Sequence, residues 1–388
     1  MPRLIRTVCT LTLISLGALA APLVGQAPPP PIPDPAAAPA PPPSFKLSGY
    51  AEASYVSSTQ PVGNTIVGRL YDRYSDAFTL NAWKLAVDRA FNAKKMDAGV
   101  HADLIVGQNA TLLRSSGFDL GTDADVTQLY VTLNLPTKNG NGVQFKIGKM
   151  VTLMGVEVIE DVVNPNWSEG LQFIYVENFT STGVELDFKP SSAVDVELRV
   201  DNGWDRIVVP DGHKSFMGRV GIAASANTSL GVVAYVGDQE PSISAARYGV
   251  DVLLNQKAGS KTSIWVQGDW GKEKANANLP NPAADASWWA VGGWLATDLS
   301  PKANLALRAD YLDDADGFRT GAPPTGVLGF PASAGGAQKL WTLTGTLNAK
   351  TWPNVLLRPE VRYDHSNLTP FNGKNGQATF ALSVAYQY

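Results

Sequence analysis

The residues able to do acid–base or metal chemistry are few and scattered. Histidine occurs only at His101, His213 and His365, with no His-x-x-x-His pair that could hold zinc from one helix face. The one cysteine is Cys9. No Gly-x-Ser-x-Gly elbow and no phosphate-binding glycine loop stands at a strand–helix junction. An enzyme is therefore not expected, and neither is a bound cofactor. What the charged residues could do is electrostatic. Arginines recur at alternating positions in apolar stretches: Arg199, Arg219, Arg308, Arg358 and Arg362. Carboxylates gather in one long link, 152–181, as Glu157, Glu160, Asp161, Glu169 and Glu177. Basic and acidic groups across a narrow wet passage create a transverse field, and rings of charge at a constriction select ions.

The elements carrying these charges have a period of two. In 193–202, Val194, Val196, Leu198 and Val200 alternate with Asp195, Glu197, Arg199 and Asp201. In 354–365, Val355, Leu357, Pro359, Val361 and Tyr363 alternate with Arg358, Glu360, Arg362 and Asp364. Successive side chains of a strand point to opposite faces, so each segment has one apolar and one charged face. The charged face is too polar for a dry core and is expected to be wet. A charge on the apolar face would cost roughly 2–4 kcal/mol if that face met lipid.

About sixteen such segments can be read, the even number that single-chain bacterial barrels use. They fall near 45–56, 79–90, 96–107, 126–135, 142–151, 182–189, 193–202, 214–225, 229–237, 246–257, 261–272, 287–297, 303–313, 338–349, 354–365 and 377–388. Short links rich in Gly, Pro, Asn or Asp, such as 136–141, 190–192 and 350–353, alternate along the whole chain with long ones. The final run, Phe380 to Tyr388, alternates up to an aromatic end, and closing it onto the first strand would remove an open edge. The fold expected is all-β, a transmembrane antiparallel up-and-down barrel with short periplasmic turns and long extracellular loops.

Residues 1–20 have the parts of a signal peptide: Arg3 and Arg6, an apolar stretch too short to span a bilayer, and Ala18-Leu19-Ala20. Cys9 lies within it. Residues 21–43 are almost all Pro and Ala and suit an extended periplasmic linker, leaving 44–388 for the barrel. Charged residues make up 17% of the chain and the formal charge is −4, which argues against nucleic-acid binding. The mean hydropathy of −0.06 fits a barrel, whose strands hide half their residues from lipid. Trp83, Phe216, Tyr248, Trp270, Trp289, Tyr311, Trp341 and Tyr363 fall near the long-loop ends of their segments, at the height of a headgroup zone.

Asn202-Gly203-Trp204-Asp205 reads as a strand end, a Gly-assisted turn and an interface tryptophan. The run Val200-Asp-Asn-Gly-Trp-Asp205 is similar to a motif of the OmpL-like family of outer-membrane β-barrel porins. Gly148-Lys149 with Gly155-Val156-Glu157, and Gly49-Tyr50 with Tyr55, resemble that family too. The resemblance spans most of 45–388, leaves out the proline-rich segment, and implies a passive porin-like channel without catalytic residues. Sixteen-stranded porins, which the layout resembles, fold their third long loop inward. Link 152–181 is thus expected to narrow the pore, with Glu157, Glu160 and Asp161 facing Arg199, Arg219, Arg308, Arg358 and Arg362. The partners expected are outer-membrane lipid and small polar solutes and ions. A homotrimer and cell-wall contact through the proline arm are carried as further expectations. The competing reading is a non-channel outer-membrane barrel acting as an adhesin or cell-wall tether.

Overall fold

A computed structural model describes residues 45–388 apart from 116, 118–119, 122, 138–141, 210–211, 239–244, 278, 322–329 and 331–336. The expected signal peptide with Cys9, the expected proline-rich linker and most of the turn at 136–141 lie outside the described residues.

Sixteen strands follow one another along the chain. They are β1 (Phe45–Ser58), β2 (Ala77–Arg89), β3 (Asp97–Val106), β4 (Ala124–Leu135), β5 (Val143–Val151), β6 (Thr180–Ser191), β7 (Val194–Asp201) and β8 (Ser215–Ala223). The second half is β9 (Thr228–Asp238), β10 (Ala246–Ala258), β11 (Thr262–Glu273), β12 (Ala286–Ser300), β13 (Ala303–Asp314), β14 (Gln338–Trp352), β15 (Val355–Ser366) and β16 (Gly376–Gln387). Each pairs with its sequence neighbours, and β1 pairs antiparallel with β16, so the sheet is a closed barrel. Closure gives every strand two partners and leaves no edge. The last residue completes the seam. Tyr388 and Gly49 exchange backbone bonds of 3.0 and 3.1 Å, and the Tyr388 hydroxyl donates to Lys84 O at 2.8 Å. A Cβ on Gly49 would collide with Lys84 O and the Tyr388 ring, so only glycine fits there.

The two faces divide as the alternation predicts. Leu198, Val200, Val361 and Phe380 are exposed on the outside, while Arg199, Asp201, Glu360 and Arg362 are buried inside. Outer aromatics pack against one another across neighbouring strands, tilted or edge-on. Trp289 lies 5.1 Å from Tyr311, Trp341 5.4 Å from Tyr363, and Tyr248 5.8 Å from Trp270, centre to centre. Trp204 departs from the expectation of an interface position. With Gly203 and Asp205 both at positive φ, the chain turns inward, and Trp204 packs on Tyr235 at 5.1 Å, 9% exposed.

The inner face is not uniformly wet. Its long-loop half is filled by loop side chains. Val67, Leu70, Tyr71, Ile159, Phe173, Ile174 and Tyr175 form a buried apolar cluster with inward residues such as Ile105, Trp288 and Leu312. Inward polar groups keep exposure in the short-turn half of β2–β8, among them Asp88, His101, Lys146, Asp187, Asp195 and Arg219.

Candidate functional site

The long β5–β6 loop, 152–179, enters the barrel at Gly155. Its φ of +86° is costly for other residues, and a Cβ there would strike the Glu177 carboxylate. Beyond it the chain crosses to the opposite wall. Val156 N donates to Gln267 Oε1 of β11 at 3.1 Å, and Gln267 Nε2 donates to Glu177 Oε1 at 2.7 Å. Gly170 N donates to Glu157 Oε2 at 2.6 Å, closing the loop on itself. Leu171 N reaches Asp310 Oδ2 of β13 at 3.0 Å, and Trp167 N reaches Glu360 Oε2 of β15 at 2.8 Å. Trp167 Nε1 donates to Glu52 Oε1 of β1 at 3.0 Å. A loop that starts on β5 and bonds to β11, β13, β15 and β1 must lie inside the barrel.

Most of the expected constriction residues form this seam. Arg308 donates to Glu157 Oε1 at 2.6 Å, bonds Ser168 O, and lies 3.2 Å from Asp310 Oδ2. Arg358 donates from Nη1 to Asp161 O at 2.5 Å and from Nη2 to Asn164 O at 2.8 Å. Arg362 donates to Glu169 O at 2.6 Å and to Ser168 Oγ at 3.2 Å. All three are buried, as are Glu157 and Asp161. Arg199 is buried against Glu185 at 2.5 Å and Val151 O at 2.8 Å, at the loop's stem. Buried charges need such partners because each unpaired one would cost several kcal/mol. Of the eight expected residues, Arg219 and Glu160 keep the most side-chain exposure, 26% and 20%. Arg219 pairs with Asp195 and with Glu197 at 3.0 Å, and Glu160 pairs with Lys84 of β2.

The loop carboxylates also differ electrostatically from a row of free anions. Burial pushes the carboxyls of Asp161, Glu169 and Glu177 well above the usual range, with Glu52 adding to the effect at Asp161, Asp72 at Glu169 and Asp251 at Glu177.

Several structural partners escaped the sequence reading. The β1–β2 loop also turns inward. Arg69 bonds Asp72, Asp364 at 2.8 Å and Thr379 Oγ1 at 2.8 Å, and Tyr71 donates to Ile159 O at 3.2 Å. The signal was present: Ile66, Val67, Leu70 and Tyr71 are too apolar for a loop facing water. His101 bridges Asp88 at 2.6 Å and Asp103 at 3.1 Å and stacks on Tyr130 at 5.1 Å, partly exposed. Among the described residues no group of three His, Cys, Asp or Glu is placed to hold a metal ion.

The architecture recurs in known channels. The outer-membrane channel DcaP of Acinetobacter baumannii superposes with a TM-score of 0.57 at 12% identity, covering 89% of this chain and 98% of that one. The anion-selective porin from Comamonas acidovorans gives 0.62 at 7% identity, covering 89% and 99%. Pseudomonas putida OprB gives 0.57 at 9%, covering 89% and 94%. At these identities the likeness is one of fold. No curated protein matches the sequence. The model of the family described as "Putative beta-barrel porin-2, OmpL-like" matches residues 44–388, so the chain belongs to that family of β-barrel porins.

Proposed function

We propose that this protein is an outer-membrane porin, a water-filled passage for passive diffusion of ions and small polar solutes, narrowed by loop 152–181. The observation that carries the reading is the loop's seat against β11–β15 and β1, opposite the strands it connects. Sixteen strands enclose space for such a loop and for water beside it. The route runs along the β2–β8 wall, where Lys146, Asp187, Asp195 and Arg219 keep exposure. Arg308, Arg358 and Arg362 act by holding the loop, and Arg219 and Glu160 are the expected charges that meet the solute. A homotrimer in the outer membrane is part of the proposal, supported by the trimer form in which Vibrio cholerae OmpT, a barrel of the same fold, has been solved.

One observation favours a second reading, a sealed barrel serving as adhesin or tether: the long-loop half is filled by buried side chains such as Leu70, Tyr71, Phe173 and Tyr175. Liposome swelling separates the two. Vesicles carrying the folded protein should swell in arabinose faster than empty vesicles, and swelling equal to that of empty vesicles would favour the sealed barrel.

A further inference from the structure

At the long-loop end of the lumen two arginines share one aromatic box. Arg247 lies near the start of β10, and Arg319 sits on α1 (Phe318–Gly321), a short turn of helix in the β13–β14 loop. The Arg247 guanidinium carbon is 4.8 Å from the Trp204 ring centre and 5.5 Å from that of Phe318. That of Arg319 is 5.3 Å from Trp204 and 5.5 Å from Trp288. The two residues are 5% and 7% exposed. Guanidiniums stacked on rings keep their N–H edges available in the plane. Arg247 is matched by Glu273 at 2.6 Å. Arg319 has no carboxylate within ion-pair distance among the described residues. Among the described residues its guanidinium makes one hydrogen bond, from Nε to Tyr175 O at 2.5 Å. Asp314, at the end of β13, already accepts from Phe318 N at 3.2 Å, Thr320 N at 2.8 Å and Thr320 Oγ1 at 2.7 Å. Beside the pair, Trp288 Nε1 is a buried donor with no acceptor among the described residues. Burial and the like charge of Arg247 pull the Arg319 guanidinium down to about 10.

We propose that Arg319, Arg247 and Trp288 form a recognition site for a carboxylate-bearing solute at the long-loop end of the lumen. The site names a solute class for the porin function proposed above and rests on that reading. An arginine fork donates two parallel hydrogen bonds to the oxygens of a carboxylate, and an anion there balances the one guanidinium of the pair that has no carboxylate of its own. The Trp288 N–H is a further donor within the box. A hydrated chloride does not match the fork.

The probe is sodium benzoate, titrated calorimetrically into the chain without residues 1–20 in detergent against sodium chloride of equal ionic strength. Potassium chloride conductance is measured on the same preparation in planar bilayers. Saturable binding of benzoate but not chloride is expected. Arg319→Gln should weaken it at least tenfold, and Arg319→Lys, which keeps the charge but loses the fork, about threefold or more. Absence of saturable binding overturns the site, as does wild-type affinity in Arg319→Gln with heat-modifiable mobility retained. If Arg319→Gln does not fold, wild-type affinity in Arg319→Lys overturns it. Conductance without benzoate binding removes the site and leaves the porin reading. Binding without conductance does the reverse.

Discussion

Arg358 offers a direct way to loosen the inserted loop without cutting the barrel. Its guanidinium, fully buried, donates to Asn348 Oδ1 at 2.8 Å, Asp161 O at 2.5 Å and Asn164 O at 2.8 Å. Two of these acceptors bracket the 3₁₀ turn Asp161–Val163 at the heart of the loop. Arg358→Met keeps most of the stem and removes all three bonds. Each bond from a charged donor contributes about 1.5–3 kcal/mol. Returning a buried guanidinium to neutral packing recovers several kcal/mol of desolvation. The net loss expected is about 2–4 kcal/mol, which raises the released fraction of the loop roughly 30- to 700-fold. Amide hydrogen exchange in detergent reads it. Exchange in 158–171 should accelerate by that factor while β14 and β15, whose ladder does not run through the side chain, stay protected. Unchanged exchange in 158–171 would refute the clamp, and equal acceleration in the strands would show that Arg358 supports the barrel instead.

Three further outcomes follow from the wall and its seam. Val361→Lys places a charge on the lipid face, where Val361 is 53% exposed, and should cost roughly 2–4 kcal/mol in folding titrations into bilayers. Gly49→Ala should lower the yield of heat-modifiable barrel, because its Cβ meets Lys84 O and the Tyr388 ring, and deletion of Tyr388 should do the same by opening the seam. Asp205 accepts from Phe179 N at 2.9 Å and Thr180 N at 2.8 Å, yet burial raises its pKa to about 6. A carboxyl raised in the folded state favours folding when protonated. Urea stability should therefore fall between about pH 4 and pH 6 by at most about 3 kcal/mol and level off above. Asp205→Asn should flatten that slope, and an unaltered slope would place its origin elsewhere.

The barrel was legible because its rule is local. Lipid on one side forces a period of two, so Val361 and Arg362 announce their faces from sequence alone. The loop-length parity gave the strand order, and Tyr388 closes on Gly49 as an alternating terminal strand should. The interior was less legible because its partners are far apart in sequence. Nothing near Arg358 signals that Asp161 and Asn164 will meet it, and nothing near Glu360 points to Trp167. The alternation identified Arg308 and Arg362 as inward-facing but could not say whether water or a loop would meet them. Trp204 misled for a related reason. A tryptophan beside a strand end suits a headgroup zone, but two positive-φ residues steer it inside.

The central claim is that the inserted loop narrows a conducting barrel. Planar-bilayer recording of the chain without residues 1–20 and of the same chain lacking 158–171, each verified as a heat-modifiable barrel, tests it most directly. Both should give discrete open steps, with larger unit conductance for the shortened loop, because the narrowest section dominates the resistance of a short pore. Folded barrels that give no steps in either form, or steps of equal size in both, would contradict the account.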